Sequence, residues 1–415
     1  MNKKADLLIT NAMINDYESP VNIWVNDHKI AKITNANKSI SNDILIKKKY
    51  DAAEQFVCSG FYESHIHLDK ACILERCTIE EGTLDEAVTE TGKAKESFSE
   101  KDVYQRASRV IEMAIKKGTM GLRTFVETDP KTELRSFNAI KKVRDDYNFA
   151  IDIEICAFAQ EGLTQDEKTL HLLKLALQNG ANLIGGCPYK DENPDQHIEM
   201  IFDIAEEFNV NVDFHLDFDL NPDNSSIPKI VEETKKRKYQ GRVSIGHVTK
   251  LSAMSLTQKS RMTDYLKEAD ITLTVLPATD LFLNGRDYGK LIPRGVVDAN
   301  TLAQKGINTT ISSNNILNAF TPYGDASLVR MANMYANIAQ YSKDENIIEI
   351  YKMITHNAAK LLSHQIEIDE GAHANFVVLE AKNATDVIRT IAQPLAGFKN
   401  GKQTFANDKA FILNP

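Results

Sequence analysis

The sequence has no uninterrupted apolar run of the roughly 18 residues a membrane-spanning helix needs, so no span is expected. Its start, MNKKADLLITNAMI, meets Asp6 early and offers neither a long apolar core nor a small-residue cleavage pattern, which argues against a secretory signal. There is no excess of positive charge: 49 Lys and Arg stand against 58 Asp and Glu, a formal net charge of -9. Basic runs are short, KKRK at 235–238 among them, and no basic stripe or aromatic platform is evident, so nucleic acid and anionic membrane are poor partners. Cysteine is scarce. Cys58, Cys72, Cys77, Cys156 and Cys187 are odd in number and match no structural zinc spacing, so reduced and mostly buried thiols in a cytoplasmic protein are expected.

What is present is a long chain with an alternating pattern. At 415 residues it suits one large domain and a smaller one. The first 60 residues read as short strands (ADLLITNAMI, VNIWVN, KIAKIT), and so do ANFVVLEA and PLAGFKNGKQTFA near the other end, the latter with a hairpin signal at Asn400-Gly401. Residues 1–60 and 366–415 are expected to pair into one small β domain around a larger unit, 61–365.

In that unit short apolar strands alternate with helical patterns. Ser99 caps a helix whose Val103, Ala107, Val110, Ile111 and Ala114 recur at helical spacing, and Gly118 closes it. LRTFV at 122–126 follows, then a helix near 132–145 and strands at 151–158, 183–186, 211–215, 242–248, 271–276 and 308–312. With the strand leading into His65 there are eight, which predicts a (β/α)8 barrel; one strand fewer would give a doubly wound sheet.

Barrel chemistry gathers at the C-terminal strand ends. There the chain places His65 and His67, Glu127, Gln160, Cys187 to Lys190, His215, His247, Pro277, and Asn314 with Asn315. In SHIHLDK, alternation puts His65 and His67 on one face, so two imidazoles can reach one cation. Either His215 or His247 can extend the set, and the competing reading of each is a structural histidine. Hydrolysis also needs proton donors and acceptors. Asp217, Asp219 and Glu127 are the nearby carboxylates, although the two aspartates could equally cap a loop. Gln160 offers a donor and an acceptor for an amide or ring edge. Pro188 and Tyr189 are wall candidates, and Lys70, Cys72 and Arg286 are further lining candidates, Lys70 also being open to a surface pair with Asp69.

FYESHIHLDK, CAFAQEG at 156–162, VDFHLD at 212–217, SIGHVTKLSAM at 244–254, LNGR at 283–286, GINTTISSNNILNAFTPYG at 306–324 and THNAAKLL at 355–362 together resemble the cytosine deaminase branch of the amidohydrolase superfamily, which includes triazine-ring aminohydrolases. The resemblance implies a distorted (β/α)8 barrel with a β-sandwich built from both chain ends. It implies one divalent metal ion, zinc or iron before manganese, no organic cofactor, and a small nitrogenous substrate whose non-peptide C–N bond is attacked by metal-activated water. His65, His67 and His215 correspond to the ligands, His247 to the histidine that orients or deprotonates the water, and Gln160 to the residue recognising the substrate edge.

Three departures stand out. Asn314 replaces the family's strand-8 aspartate and is followed by Asn315. Phe218 replaces a proton-donating glutamate, and Phe125 stands where the family has histidine. An asparagine can offer oxygen but cannot act as a base near neutral pH, and a phenyl ring carries no proton. These changes argue against cytosine itself. They leave a hydrolase with reassigned roles (Asp217 or Asp219 as acid, His247 as base, Asn314 at the intermediate), an enzyme whose Phe218-lined pocket takes a less polar substrate, or a catalytically impaired descendant that binds a small molecule or regulates a partner. Assembly into a homo-oligomer is left open.

Overall fold

The computed structural model describes residues 4–15, 17–408 and 412–413; positions 1–3, 16, 409–411 and 414–415, which belong to the expected terminal β segments, lie outside them. The alternating pattern folds into eight parallel strands in sequential order: β1 (Phe61–Ile66), β2 (Thr119–Glu127), β3 (Asp152–Ala159), β4 (Leu183–Gly186), β5 (Asn211–Leu216), β6 (Val243–His247), β7 (Thr272–Val275) and β8 (Thr309–Ile311). The ring closes past the end of β8, where Ile66 bridges Asn314. The His67 amide donates to the Asn314 carbonyl at 2.9 Å and the Asn314 amide to the His65 carbonyl at 3.0 Å. The seam of the barrel therefore runs through two of the metal-ligand candidates.

Strands that face helices outward and side chains inward need apolar residues on both faces. β2, nine residues long, is buried throughout. The barrel interior nevertheless carries polar groups, several of which find partners across it. Ser64 Oγ donates to Thr310 Oγ1 at 2.8 Å, and Thr310 pairs with Thr274 at 2.8 Å. Arg123, only 2% exposed, reaches Glu154 on β3, Asp213 on β5 and Ser244 on β6 at 3.0, 2.8 and 3.1 Å. Contacts from β2 to the non-adjacent β5 and β6 require this side chain to cross the inside of the ring.

The helices carry the expected caps. Ser99 accepts from Asp102 N at the start of Glu100–Lys116, and the helix expected near 132–145 runs from Arg135 to Tyr147. Near the chain ends, one four-stranded sheet joins Leu7–Ala12, Val21–Asn26, Lys29–Asn35 and Lys49–Asp51. A second, antiparallel one joins Phe56–Cys58 to Phe376–Leu379, Pro394–Lys399 and Lys402–Ala406. Leu7, Ile9, Ile23 and Val25 of the first pack against Val57, Phe376, Val378 and Phe398 of the second. The hairpin between Lys399 and Lys402 turns at Asn400 and Gly401, with φ of 52° and 71°, the left-handed pair that such a two-residue turn requires. All five cysteines are free thiols, and Cys58, Cys156 and Cys187 are buried. Among the described residues no helix is long and apolar enough to cross a membrane.

Candidate metal centre and active site

Four histidines converge at the C-terminal end of the barrel, and strand geometry brings each one there. His65 is the last residue but one of β1 and His67 follows it by two, just past the strand, so both turn inward. His215 lies one residue before the end of β5, and His247 is the last residue of β6. The Nε2 atoms of His65 and His67 each lie 2.9 Å from His215 Nε2. His65, His215 and His247 form a second, overlapping set whose ring nitrogens fall within 4.8 Å of one another. His215 is common to both sets, and its two 2.9 Å contacts are to His65 and His67. His247 is committed elsewhere: its Nδ1 is bonded to Asp280 Oδ1 at 2.6 Å, and its Nε2 faces Asn314 Nδ2 at 3.4 Å.

The surroundings make these rings good ligands. Phe125 stacks 4.1 Å from His65 between ring centres, and Phe158 lies 4.2 Å from His215. Burial among such groups pushes His65, His67 and His215 well below the ordinary histidine range, helped by the positive charges of neighbouring groups. They are neutral at physiological pH, the form that binds metal. Three convergent neutral nitrogens cannot all be satisfied by one another, and the Nδ1 atoms of all three rings, with Asn314 Oδ1, have no hydrogen-bond partner among the described residues. This donor set fits a divalent cation.

Close approach is built into β6. A Cβ on Gly246 would stand 2.8 Å from His65 Cε1, so only glycine lets β6 and the His65 ring share this space. Beyond it the backbone turns sharply, with His247 and Val248 both left-handed at φ of 68° and 53°, and Asn314 at 62°. A β-branched residue rarely adopts that conformation, and such strain gathers where the chain must re-aim side chains.

A second group of polar residues flanks the histidines. Lys70 is buried, not surface-paired with Asp69; its Nζ donates to Glu127 Oε1 at 2.6 Å and Gln160 Oε1 at 3.1 Å, and lies 4.5 Å over the Phe320 ring. Gln160 Nε2 donates to Cys187 Sγ at 3.3 Å. Burial works to raise the Glu127 carboxyl, but Lys70 and Lys95 overcome it and hold the group down at about 2. Glu127 is thus a fixed anion engaged by two ammonium groups.

A narrow cavity joins these groups, lined by His67, His215, His247, Lys70, Gln160 and Asn315 on its polar side. Leu84, Tyr189, Phe218, Leu283 and Phe320 close it from above. Its volume is about 20 Å³, room for about one water molecule.

Some expected site residues are placed elsewhere. Asp217 has φ of 49°, so strand alternation fails there. Its carboxylate accepts from Ser225 Oγ at 2.5 Å and Ser226 N at 3.1 Å, turned away from the histidines. Asp219 pairs with Lys250 at 2.9 Å on the outer rim. Arg286 is also on the rim, donating to the Glu81 and Phe282 carbonyls. Pro188 is buried behind Tyr189 and does not line the cavity, nor does Cys72. Asn315 reaches the cavity wall and accepts from Asn318 at 2.8 Å.

Sequence reasoning passed over three residues. Asp280 is fully buried and is the partner of His247; its place just after the end of β7 was the available signal. Glu63 precedes His65 by two on the same strand face. Burial pushes its carboxyl up to about 7 although Ser313 N donates to it at 3.0 Å. Lys95, from the helix Leu84–Lys95, had no local signal.

A parallel eight-stranded barrel with inward histidines at its C-terminal rim defines a metal-dependent hydrolase that acts on a small nitrogenous substrate. The chain belongs to the amidohydrolase family, whose model matches residues 109–405. The fold superposes on 5-methylcytosine deaminase from Klebsiella pneumoniae bound to 5-fluorocytosine, with a TM-score of 0.92 and 26% identity, over 98% of this chain and 99% of that one. N-isopropylammelide isopropyl amidohydrolase of Pseudomonas sp. strain ADP is 24% identical over 97% of this chain and 98% of its own. Pterin deaminase of Rhizobium rhizogenes is 22% identical over 85% and 82%.

Proposed function

We propose that this protein is a cytoplasmic hydrolase of a non-peptide C–N bond in a small cyclic substrate, using one zinc or iron ion held by His65, His67 and His215. The observation that carries the reading is that the Nε2 atoms of His65 and His67 each lie 2.9 Å from His215 Nε2, with no other hydrogen-bond partner among the described residues. Five free thiols agree with a reducing compartment. On this reading 61–365 is the catalytic unit, and 1–60 with 366–415 form the accessory β domain.

A divalent cation there supplies Lewis acidity, which lowers the pKa of water and polarises the bond to be cleaved. The chain supplies the proton handling. Asp280 holds His247 with its proton on Nδ1, so Nε2 presents a lone pair to the cavity. That nitrogen takes the proton of the attacking water and returns it to the departing nitrogen as the C–N bond breaks, releasing ammonia or an amine. Asn314 cannot share this duty. Its amide lies beside His247 Nε2 and its unpaired Oδ1 is available to a neighbouring donor. Lys70, Gln160 and Asn315 bind the polar edge of the substrate, while Phe218, Leu84 and Leu283 exclude water from its face. The chemistry of the relatives' substrates (a methylated pyrimidine, an alkylamino triazine, a pterin) suggests an aminated nitrogen heterocycle, and Phe218 favours one less polar than cytosine.

The test is elemental mass spectrometry of protein purified without affinity metals or chelator, together with assays on aminated pyrimidines, triazines and pterins. About one metal ion per chain is expected. Hydrolysis of a panel member should disappear with the ion and in the double variant His65→Asn/His67→Asn. No metal even after add-back overturns the reading. Metal without turnover, but with ligand binding, would instead favour a binding protein on the same scaffold, for which the loss of acids at positions 218 and 314 already argues.

A further inference from the structure

The cavity above the histidines holds about 20 Å³ and meets a wider cleft at Leu84, Phe218 and Leu283, so the elements that carry these residues set what can enter it. The helix Leu84–Lys95 is one of them. Leu84 lines the cavity, and Ala87 and Val88 pack with Phe218, Leu283 and Phe320. Its first turn is tied to the loop just before it, through the Thr83 cap at 3.3 Å and the Glu86 carboxylate accepting from Glu80 N at 2.7 Å and Gly82 N at 2.6 Å, and Arg286 reaches that loop by donating to the Glu81 carbonyl at 3.0 Å from an exposed position. Its last residue is held in a different way. The Lys95 side chain is 1% exposed, and its Nζ meets Glu127 Oε2 at 2.6 Å, Glu161 Oε1 at 2.7 Å and Asp129. Oxygens of those three acids lie within 4.8 Å of one another, an arrangement that otherwise calls for a cation. The ammonium is that cation, and it is covalently part of the covering helix. Glu127 in turn grips Lys70, which touches Gln160 in the cavity.

We propose that Lys95 is a positioning residue for the substrate cavity: a tethered cation that pins the covering helix to the ends of β2 and β3 and, through Glu127, fixes Lys70 beside Gln160. The inference rests on the reading of this cavity as the substrate site. Its physical basis is the asymmetry of buried ion pairs. Removing one partner strands the others without compensation. Without Lys95, three carboxylates share only Lys70 and the more exposed Lys131, which lies 3.1 Å from Glu161.

Full-length, metal-loaded protein is compared with Lys95→Met by hydrogen exchange and by modification of Cys187, the buried thiol against Gln160, with methyl methanethiosulfonate. In the variant, exchange across 84–95 and modification of Cys187 should each accelerate by roughly tenfold or more. Bound metal should remain at the wild-type level, and KM on any substrate found should rise more than kcat falls. A second arm separates tethering from charge. In Lys95→Ala, Ca²⁺ at about 10 mM should restore protection to 127–133, where two of the three acids lie, but not to 84–95. A purely structural lysine would give recovery in both or in neither. Should Lys95→Met fail to fold, Glu161→Gln, which removes the most exposed of the three acids, should move both readouts the same way by a few-fold. Unchanged exchange and Cys187 reactivity in a folded variant overturn the tether. Failure to find metal or turnover in the wild type sinks the hydrolase reading instead, and leaves these two readouts intact.

Discussion

At the scale of single residues, the proposed reading puts the proton handling on His247 and Asp280, because Asn314 and Phe218 carry no titratable proton. On that reading His247 is the base facing the cavity, and its useful tautomer depends on the 2.6 Å bond from Nδ1 to Asp280. Asp280→Asn keeps the shape but lets the amide stabilise the other tautomer. We expect kcat to fall by ~100-fold with metal content unchanged, checked by steady-state kinetics beside metal analysis. An equal loss of metal would place Asp280 in the ligand scaffold instead. Asp191, two residues beyond the cavity-lining Tyr189, makes a pH prediction. Asp191 accepts from Leu163 N, Thr164 N and Thr164 Oγ1 and is paired with buried His197. Burial works to raise its pKa, but these bonds win and bring it down to about 2. A depressed carboxylate contributes stability that is complete above its unfolded value and is lost as pH falls through the folded one. The Asp191 contribution, ~2 kcal/mol at neutral pH, should therefore fade between about pH 4 and pH 2. Denaturant titrations of Asp191→Asn should show that deficit at pH 7 and a smaller one at pH 2.5; a deficit independent of pH would mean that lost packing, not charge, is responsible.

At the scale of elements, the strands were legible because their apolar runs are short, bounded and repeated, and because alternation dictates which residues point inward. The same rule placed His65 with His67 and failed at Asp217, where a left-handed residue breaks the strand and redirects the side chain. The covering helix was not legible. LDEAVTETGKAK is polar, contains β-branched Val88, Thr89 and Thr91, and has Gly92 inside it, so it presents neither a clear apolar stripe nor high helix propensity. Its position comes from contacts distant in sequence: Lys95 with acids at two strand ends, and Ala87 in one cluster with Phe218, Leu283 and Phe320. Asp280 escaped for a related reason, because the pairing of β6 with β7 decides which residue backs His247. Gly246 allows a direct test of how closely β6 and the histidines are fitted. Gly246→Ala puts a methyl group 2.8 Å from His65 Cε1, so the ring must swing away from its neighbours. Metal affinity, measured by competition with a chelator, should weaken by roughly tenfold or more, because a shifted ligand loses its aim. Undiminished affinity would show that His65 is not a ligand, and would shift attention to His67 and His215.

At the scale of the whole molecule, the proposed ligands come from opposite parts of the ring. His65 and His67 stand at the seam where the Asn314 segment closes onto β1, and His215 is on β5, half the barrel away. A cation shared by these residues would join segments 150 residues apart in sequence that no backbone hydrogen bond connects directly. Without it, three desolvated imidazoles face one another with unpaired Nδ1 atoms in an aromatic enclosure, an arrangement that gains little from its own hydrogen bonds. Metal should therefore act on the stability of the entire barrel, not on the rim alone. Binding to the folded state only, at a free concentration a thousand times the dissociation constant, contributes ~4 kcal/mol. We expect calorimetric unfolding of the stripped protein to shift upward by several degrees on adding Zn²⁺ or Fe²⁺, with a midpoint that continues to rise with metal concentration. The double variant His65→Asn/His67→Asn should show no such rise. If stripped and loaded wild-type protein unfold together, the histidines are held in place by the fold alone, and the cation contributes to chemistry without contributing to closure of the ring.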